Sequence, residues 1–154
     1  MDIKPVIVNG LVGGAAAWVM AAFISWLHNR YTKDIPEEKK PLTYDLEQYR
    51  ELHVYAEFET VLATCLSAVK TIKKAKVKNI DRINRVMTAK VGITFRSFGE
   101  NIQIALKEVA HKSVTISIES KPRIWGTTAD YGKNYENAEI ISDYVKASLP
   151  TEGQ

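Results

Sequence analysis

The sequence predicts an α+β protein, in which one N-terminal membrane-spanning helix precedes a small antiparallel sheet covered by two helices. Three observations predict this class. The stretch 5–27 has no charged residue, although 25% of the whole chain is charged. Five later segments carry strand signals, and four of them alternate apolar and polar residues with the period of a half-buried strand. Two further segments carry one apolar face at helical spacing.

The uncharged stretch 5–27 is long enough to cross a bilayer, because a helix rises about 1.5 Å per residue and the hydrocarbon core is about 30 Å thick. A cleaved signal peptide, a buried core helix and a helix lying on the lipid surface are the alternatives. The apolar run continues past the small residues 15–17, where cleavage would fall, and it has no polar face. We therefore expect a single-pass anchor.

Basic residues are unequally distributed around this stretch. Lys4 precedes it, whereas Arg30, Lys33, Lys39 and Lys40 follow it. Because basic residues favour the cytoplasmic side, the sequence places the C-terminal domain in the cytoplasm, tethered to the cell membrane.

Small residues recur along one side of the predicted helix, where they would let another helix backbone approach closely. They predict association with a membrane protein partner or with a second copy of the chain. The alternative is that glycine and alanine are simply frequent in membrane spans. The residues are Gly10, Gly13, Gly14, Ala17, Ala21 and Ser25.

The domain boundaries follow from composition. We expect the anchor at 1–31, a linker at 32–53, an α+β domain at 54–149 and a tail at 150–154. The linker is polar and contains two prolines, and Leu46, Tyr49 and Leu52 recur every third residue, which indicates a short helix within it.

Inside the domain, the patterns predict the order strand, helix, four strands, helix. The strands are expected at 54–59, 77–81, 87–95, 102–107 and 114–119, and the helices at 61–74 and 134–149. Cys65 falls on the apolar face of the first of these helices, so we expect a packed core residue and not a reactive thiol.

Four polar or glycine-containing segments punctuate this order: 87–89 (MTA), 96–100 (RSFGE), 120–122 (SKP), and 130–134 (DYGKN) with Asn137. The order and these segments resemble bacterial membrane-anchored domains of the helix-grip plan. They are more distantly similar to the START-like lipid-binding superfamily and to the repeated domains of an outer-membrane assembly lipoprotein. The resemblance covers about 54–149 and implies a sheet wrapped around the C-terminal helix.

Motifs of known catalytic chemistry are lacking in the sequence. There is no Walker loop, dinucleotide fingerprint, nucleophile elbow or zinc-protease motif, and His28, His53 and His111 have no metal-ligand spacing. We therefore expect a non-catalytic protein without a cofactor or metal. The carboxylates are interpreted as outward strand or turn positions; they are Glu57, Glu59, Glu100, Glu108 and Glu119.

A basic run begins in the last part of the first domain helix, and beside an anionic leaflet each such charge contributes about 1 kcal/mol. The run predicts contact with anionic lipid head groups, with a solvated surface as the alternative. Nucleic acid is disfavoured, because the net charge is only +3 and no aromatic residues interleave the run. The residues are Lys70, Lys73, Lys74, Lys76, Lys78, Arg82 and Arg85.

Two glycine-containing loops carry aromatic residues, namely Phe98 in one and Trp125 and Tyr131 in the other. Rigid aromatic side chains bury a large area at small entropy cost, so these loops predict a protein or ligand contact. The alternative is that Trp125 closes the open end of the sheet.

The leading functional hypothesis is a non-catalytic, membrane-tethered accessory or adaptor subunit of a larger membrane complex. The alternative is a START-like binding module, a carrier or sensor for a lipid or hydrophobic small molecule held between the sheet and the last helix. A cavity would favour the second hypothesis and a filled core the first. The side chains expected to line such a cavity are Met87, Val91, Ile104, Ile116 and Ile141.

Overall fold

The computed structural model of the chain describes residues 4–127 and 130–151, with side chains from residue 14 onward in those ranges. The elements are α1 (Lys4–Thr32), a 3-10 helix (Glu37–Tyr44), β1 (Gln48–Val54), α2 (Phe58–Thr71), β2 (Ala75–Asp81), β3 (Val86–Val91), β4 (Glu100–Ala110), β5 (Ser113–Pro122) and α3 (Lys133–Ser148). The predicted α+β class of the domain is confirmed.

The five strands form one antiparallel sheet in the spatial order β1-β5-β4-β3-β2. Strands β2 to β5 follow one another as hairpins, whereas β1 pairs with β5, from Gln48 opposite Ser120 to Val54 opposite Val114. Helix α2 therefore carries the chain from one edge strand to the other, across the face of the sheet.

One face of the sheet packs against α2 and α3, and the other is polar, as the alternation predicted. The five side chains that would line a cavity between the sheet and the last helix are at most 1% exposed and belong to one core cluster. Cys65 is buried in the same cluster, which confirms its prediction. The space between sheet and last helix is thus filled by side chains of the described residues.

Two predicted elements are wrong. Residues 48–54 form a strand where a short helix was expected, and α2 begins at Phe58, inside the strand expected at 54–59. In β1, polar Gln48 and Arg50 lie on the same inner face of the sheet as Leu52 and Val54. The strand therefore lacks the regular alternation of apolar and polar residues by which a strand is predicted. The sheet therefore begins before residue 54.

Strand β3 is also shorter than the predicted strand 87–95, since it ends at Val91. The following residues leave the sheet, and Ile93 and Phe95 are exposed in the loop that joins β3 to β4. This loop, residues 92–99, is called the β3–β4 loop below.

Among the residues of α1 whose side chains are described, those at its C-terminal end meet the domain. Residues 14–26 are exposed, whereas Leu27, His28 and Thr32 are buried. Within residues 4–127 and 130–151, no helix combines the length and the apolar character needed to cross a membrane. The predicted membrane span is thus not found there.

The small-residue stripe predicted on α1 is exposed in the part of the helix whose side chains are described. A Cβ added at Gly14 would have no atom within 4 Å. Ala17, Ala21 and Ser25 are exposed, and Gly10 and Gly13 precede the described side chains. Helix association through this stripe stays a prediction.

Candidate functional site

Buried polar side chains gather at one end of the sheet, where the β3–β4 loop, the end of β5 and the start of α3 meet. Burying polar groups is costly unless they are hydrogen-bonded, so their presence together requires a network. We call this set the polar cluster; it comprises Ser97, Glu100, Ser120, Asp130, Asn134 and Asn137.

Asp130 organises the start of α3. Its Oδ1 accepts a hydrogen bond from the Gly132 amide at 3.1 Å, and its Oδ2 accepts from the amide and the Nδ2 of Asn134, both at 2.7 Å. A carboxylate in this position satisfies amides that have no partner inside the helix and suits the positive end of the helix dipole. Ser120 donates to Asn134 Oδ1 at 2.7 Å, so the helix start is tied to β5.

Glu100 is the buried acid of the cluster, at 1% exposure. One carboxylate oxygen accepts a hydrogen bond from the Ser97 hydroxyl, and the other lies 3.5 Å from Asn137 Nδ2. Burial raises the pKa of the Glu100 carboxyl, against the opposing effects of the Ser97 hydrogen bond and the Lys133 charge. The side chains around the carboxyl seal it from solvent.

The burial of Glu100 and Ser120 follows from the face of the sheet on which each residue lies. Glu100 lies on the same face of β4 as Ile102 and Ile104, and Ser120 lies on the same face of β5 as Ile118. The interpretation of Glu100 as an outward position is therefore wrong. The inward phase was visible in the sequence, because Glu100 precedes Ile102 by two residues.

Arg96 joins three parts of the structure. Its guanidinium donates to the Glu136 carboxylate on α3 and to the Tyr131 carbonyl at 2.8 Å. The guanidinium carbon also lies 4.9 Å from the ring centroid of Tyr31 on α1, a favourable cation–π distance. The β3–β4 loop, α3 and the end of α1 therefore meet at one side chain.

Glu136 is shared between two cations. Lys133 donates to its Oε1 at 2.9 Å, and Arg96 pairs with the other oxygen. Burial works to raise the pKa of the Glu136 carboxyl, but the two cations outweigh it and hold the pKa below its usual value. The pair keeps Glu136 ionised next to the start of α3.

A pocket of about 360 Å³ opens beside this network, and we call it the basic pocket. It combines four cationic side chains and one carboxylate with two aromatic rings, so its lining is positively charged with an apolar part. Its volume falls in the range of about 300–1,000 Å³ that ligand pockets occupy. The lining residues are Tyr31, Lys73, Lys74, Thr94, Phe95, Arg96, Lys133 and Glu136.

A second, smaller groove of about 150 Å³ lies where α1 leans on the 3-10 helix and the start of α3. Inside it, His28 Nε2 lies 3.0 Å from Thr43 Oγ1, and the His28 ring stacks on Tyr44 with centroids 4.1 Å apart. Burial lowers the pKa of His28. These contacts hold the end of α1 against the domain.

The structure separates the basic run predicted to contact anionic lipid. Lys73 and Lys74 line the basic pocket, and Lys70 lies in the last turn of α2. Lys76 and Lys78 lie on the edge strand β2. At the opposite end of the sheet, Arg82 and Arg85 pair with Glu59 and Glu108. Lipid contact by the run stays a prediction, and the structure joins only its first part to the pocket.

The three predicted loop residues differ in exposure. Trp125 is 100% exposed and Phe98 is also exposed, so the alternative in which Trp125 closes the sheet is wrong. Tyr131 is half-buried with a φ of 50°, and its ring centroid lies 6.4 Å from that of Tyr31. Tyr131 thus belongs to the contact with α1, whereas the other two side chains face solvent.

Across residues 4–127 and 130–151, no group of three or more His, Cys, Asp or Glu side chains could hold a metal ion.

Comparison with known proteins concerns the fold. No protein-family model matches the sequence, and no curated protein matches it. The chain is similar to the crystal structure of the di-domain ARO/CYC BexL from the BE-7585A biosynthetic pathway, with a TM-score of 0.50 and 9% identity. The match covers 66% of this chain and 45% of BexL, so the chain spans less than half of that protein.

Two further structures align with the same share of the chain. A protein from Bacillus thuringiensis has a TM-score of 0.48 and 10% identity over 66% of this chain and 94% of its own. A Thalictrum flavum norcoclaurine synthase mutant, in complex with a transition-state analogue, has a TM-score of 0.39 and 12% identity over 66% and 94%. With its antiparallel sheet packed against α2 and α3, the domain has a helix-grip-like fold, as its similarity to BexL indicates.

Proposed function

We propose that the protein is a non-catalytic binding module whose basic pocket holds an anionic amphipathic molecule, such as a single-chain anionic lipid. The observation that carries this proposal is the convergence of four cations and two aromatic rings, from four separate elements, on one pocket. The helix-grip-like fold supports a binding role at the level of architecture.

The basic pocket lies at a different place from the cavity that the START-like alternative predicted. The space between the sheet and α3 is filled, since Met87, Ile116 and Ile141 are at most 1% exposed. The ligand site is therefore placed at the end of the sheet, outside the core.

The four cationic side chains of the basic pocket differ in the partners that they already have. Arg96 and Lys133 share Glu136, and Lys74 Nζ donates to the Ile93 carbonyl at 2.8 Å. Lys73 is exposed at the pocket and supplies charge to an incoming anion. Charge-assisted hydrogen bonds from such groups are stronger than neutral ones, so an anionic head group is favoured.

The apolar part of the ligand is assigned to Tyr31 and Phe95. Phe95 is 80% exposed, and covering it would remove a large apolar area from water. Glu136, the carboxylate of the lining, is already paired with two cations, so it has no free role as a base. Binding without catalysis is the reading that these contacts support. The accessory-subunit hypothesis has no support in the fold comparisons and stays a prediction.

The test is calorimetric titration of the full chain, held in a neutral amphiphilic polymer. Three probes separate the two parts of the pocket: n-octyl phosphate, inorganic phosphate and n-octanol. We expect octyl phosphate to bind most tightly, and Lys73→Gln to weaken it several-fold. Lys70→Gln removes an equal charge one turn earlier, outside the pocket, and should change nothing.

Two results would contradict the proposal. Equal affinity for phosphate and octyl phosphate would leave a simple anion site without an apolar part. Equal affinity of the Lys73→Gln and Lys70→Gln variants would show that the pocket is not where the ligand lies.

A further inference from the structure

We infer that the end of the molecule that bears the basic pocket docks on a lipid bilayer, with the tips of two loops entering the interface beside α1. This inference goes beyond the proposed ligand, because it concerns which surface of the protein faces lipid, whether or not the pocket is occupied.

The first observation is the exposed apolar surface of α1. Residues 14–26 are exposed and uncharged on every side of the helix; at about 3.6 residues per turn, large apolar side chains occupy about two-thirds of the circumference and small residues the rest. A protein partner covers one side of a helix, whereas lipid covers all sides. The large exposed residues are Trp18, Val19, Met20, Phe23, Ile24 and Trp26.

The second observation is a set of large apolar side chains that two loops present to solvent. The β3–β4 loop exposes Ile93, Phe95 and Phe98, and the segment after β5 exposes Ile124 and Trp125. We call these five residues the loop tips. Aromatic residues are enriched at membrane–water interfaces, where their rings lie at the level of the head groups.

The loop tips and α1 lie at the same end of the domain. Arg96, inside the β3–β4 loop, lies over the ring of Tyr31 on α1. The two loops are joined by a hydrogen bond from the Arg123 amide to the Gly99 carbonyl at 2.9 Å. Gly132, at the end of the second segment, closely approaches Thr32, the last residue of α1.

Cations surround these apolar groups. Arg30 and Lys33 are exposed at the end of α1, Arg123 is exposed between the loops, and Lys73 and Lys74 are exposed at the basic pocket. Basic residues next to an apolar surface complement the anionic head groups of a membrane leaflet. The charge and the apolar surface therefore specify the same occupant.

The opposite end of the sheet provides a contrast. The turn between β2 and β3 is held by Asp81, whose carboxylate accepts from the Ile83 and Asn84 amides at 3.0 and 2.9 Å. Ile83 is 93% exposed there, on a turn far from α1. A tryptophan at this position reports on a surface that should stay in water.

The experiment uses the full chain with one tryptophan at a time. Trp18→Phe together with Trp26→Phe leaves Trp125 alone, since the chain has three tryptophans. The matched control adds Trp125→Phe and Ile83→Trp. Both proteins are reconstituted without added ligand into phosphatidylcholine vesicles with about a fifth phosphatidylglycerol. Flotation measures how much protein the vesicles hold.

Brominated phosphatidylcholine then quenches the tryptophans that lie in lipid. We expect Trp125 to be quenched several-fold more than the tryptophan at position 83, and its emission to shift to shorter wavelength. Equal quenching of the two, or a chain that does not float with the vesicles, would overturn the inference. Because no pocket ligand is added, failure here leaves the titration of the basic pocket unaffected.

Discussion

Asn137 Nδ2 lies 3.5 Å from a carboxylate oxygen of Glu100, while Asn137 Oδ1 has no hydrogen-bond partner among the described residues. Both side chains are buried, Glu100 at the start of β4 and Asn137 on α3. At this oxygen, the Glu100 carboxylate has one long hydrogen bond in place of the water it has lost. This is the setting in which burial raises the pKa of a carboxyl.

Glu100→Gln should change the pH dependence of stability. The folded-state pKa of Glu100 is above its unfolded value, so its contribution to stability is fully present below the unfolded pKa and is lost as pH rises through the folded pKa. The glutamine variant lacks this loss and should gain stability relative to wild type as pH rises to neutral. Urea unfolding at a series of pH values measures the difference.

Ser97→Ala is the opposing control for this experiment. The Ser97 hydroxyl lowers the pKa of Glu100, so its removal should raise that pKa further and steepen the loss of stability. Parallel pH profiles for wild type and Glu100→Gln would contradict the assigned role of Glu100.

Arg96→Ala should destabilise the protein by about 2 kcal/mol, because hydrogen bonds to charged groups contribute about 1.5–3 kcal/mol and Arg96 is largely buried. Amide exchange at residues 28–32 should also accelerate, since the contact with Tyr31 is lost. Arg82→Ala removes an exposed pair with Glu59 and should cost less than about 0.5 kcal/mol. Equal unfolding free energies for the two variants would refute the bridging role of Arg96.

Gly132→Ala should destabilise the protein more than Gly126→Ala. Both glycines have positive φ, 71° and 84°, so alanine at either position is strained by about 1–2 kcal/mol. An added Cβ at Gly132 would also lie 3.2 Å from Thr32 Cγ2 and 3.3 Å from Thr43 Cβ, whereas Gly126 has nothing within 4 Å. Thermal unfolding of the two variants separates strain from crowding. Equal melting temperatures would show that α1 can move away without cost.

Cys65 should react with a thiol reagent only when the protein unfolds. Burial raises the pKa of its thiol to about 12, and the thiolate is the reactive form. Labelling by an aromatic disulfide at mildly alkaline pH should therefore follow the population of unfolded protein as urea is added. In a Cys65→Ala background, Ser67→Cys places a thiol on the exposed side of α2 and should react at once. Rapid labelling of native Cys65 would contradict its packing.

The sheet was largely predictable because most of its strands have local signatures. Met87, Ala89 and Val91 share one face of β3, as their spacing indicated. Strand β1 was not predictable in this way. Its Arg50 faces inward because Glu139, far along the chain on α3, pairs with it at 2.7 Å, and no local pattern reveals such a partner.

The site was predictable only in part. The segments around Arg96, Ser120 and Asp130 stand out in the sequence as polar or glycine-containing, but their meeting at one end of the sheet depends on strand order. The burial of Glu100 could have been inferred from its phase with Ile102. The pairing of Arg96 with Tyr31 could not, because it depends on where α1 leaves the domain.

The Arg96 side chain lines the basic pocket and also lies over the ring of Tyr31. An anion that binds its guanidinium therefore changes the free energy that holds the end of α1. By thermodynamic reciprocity, any change in the seating of α1 changes the affinity for that anion by the same factor. The binding of an anion in the basic pocket and the position of α1 on the domain are thus coupled through one side chain.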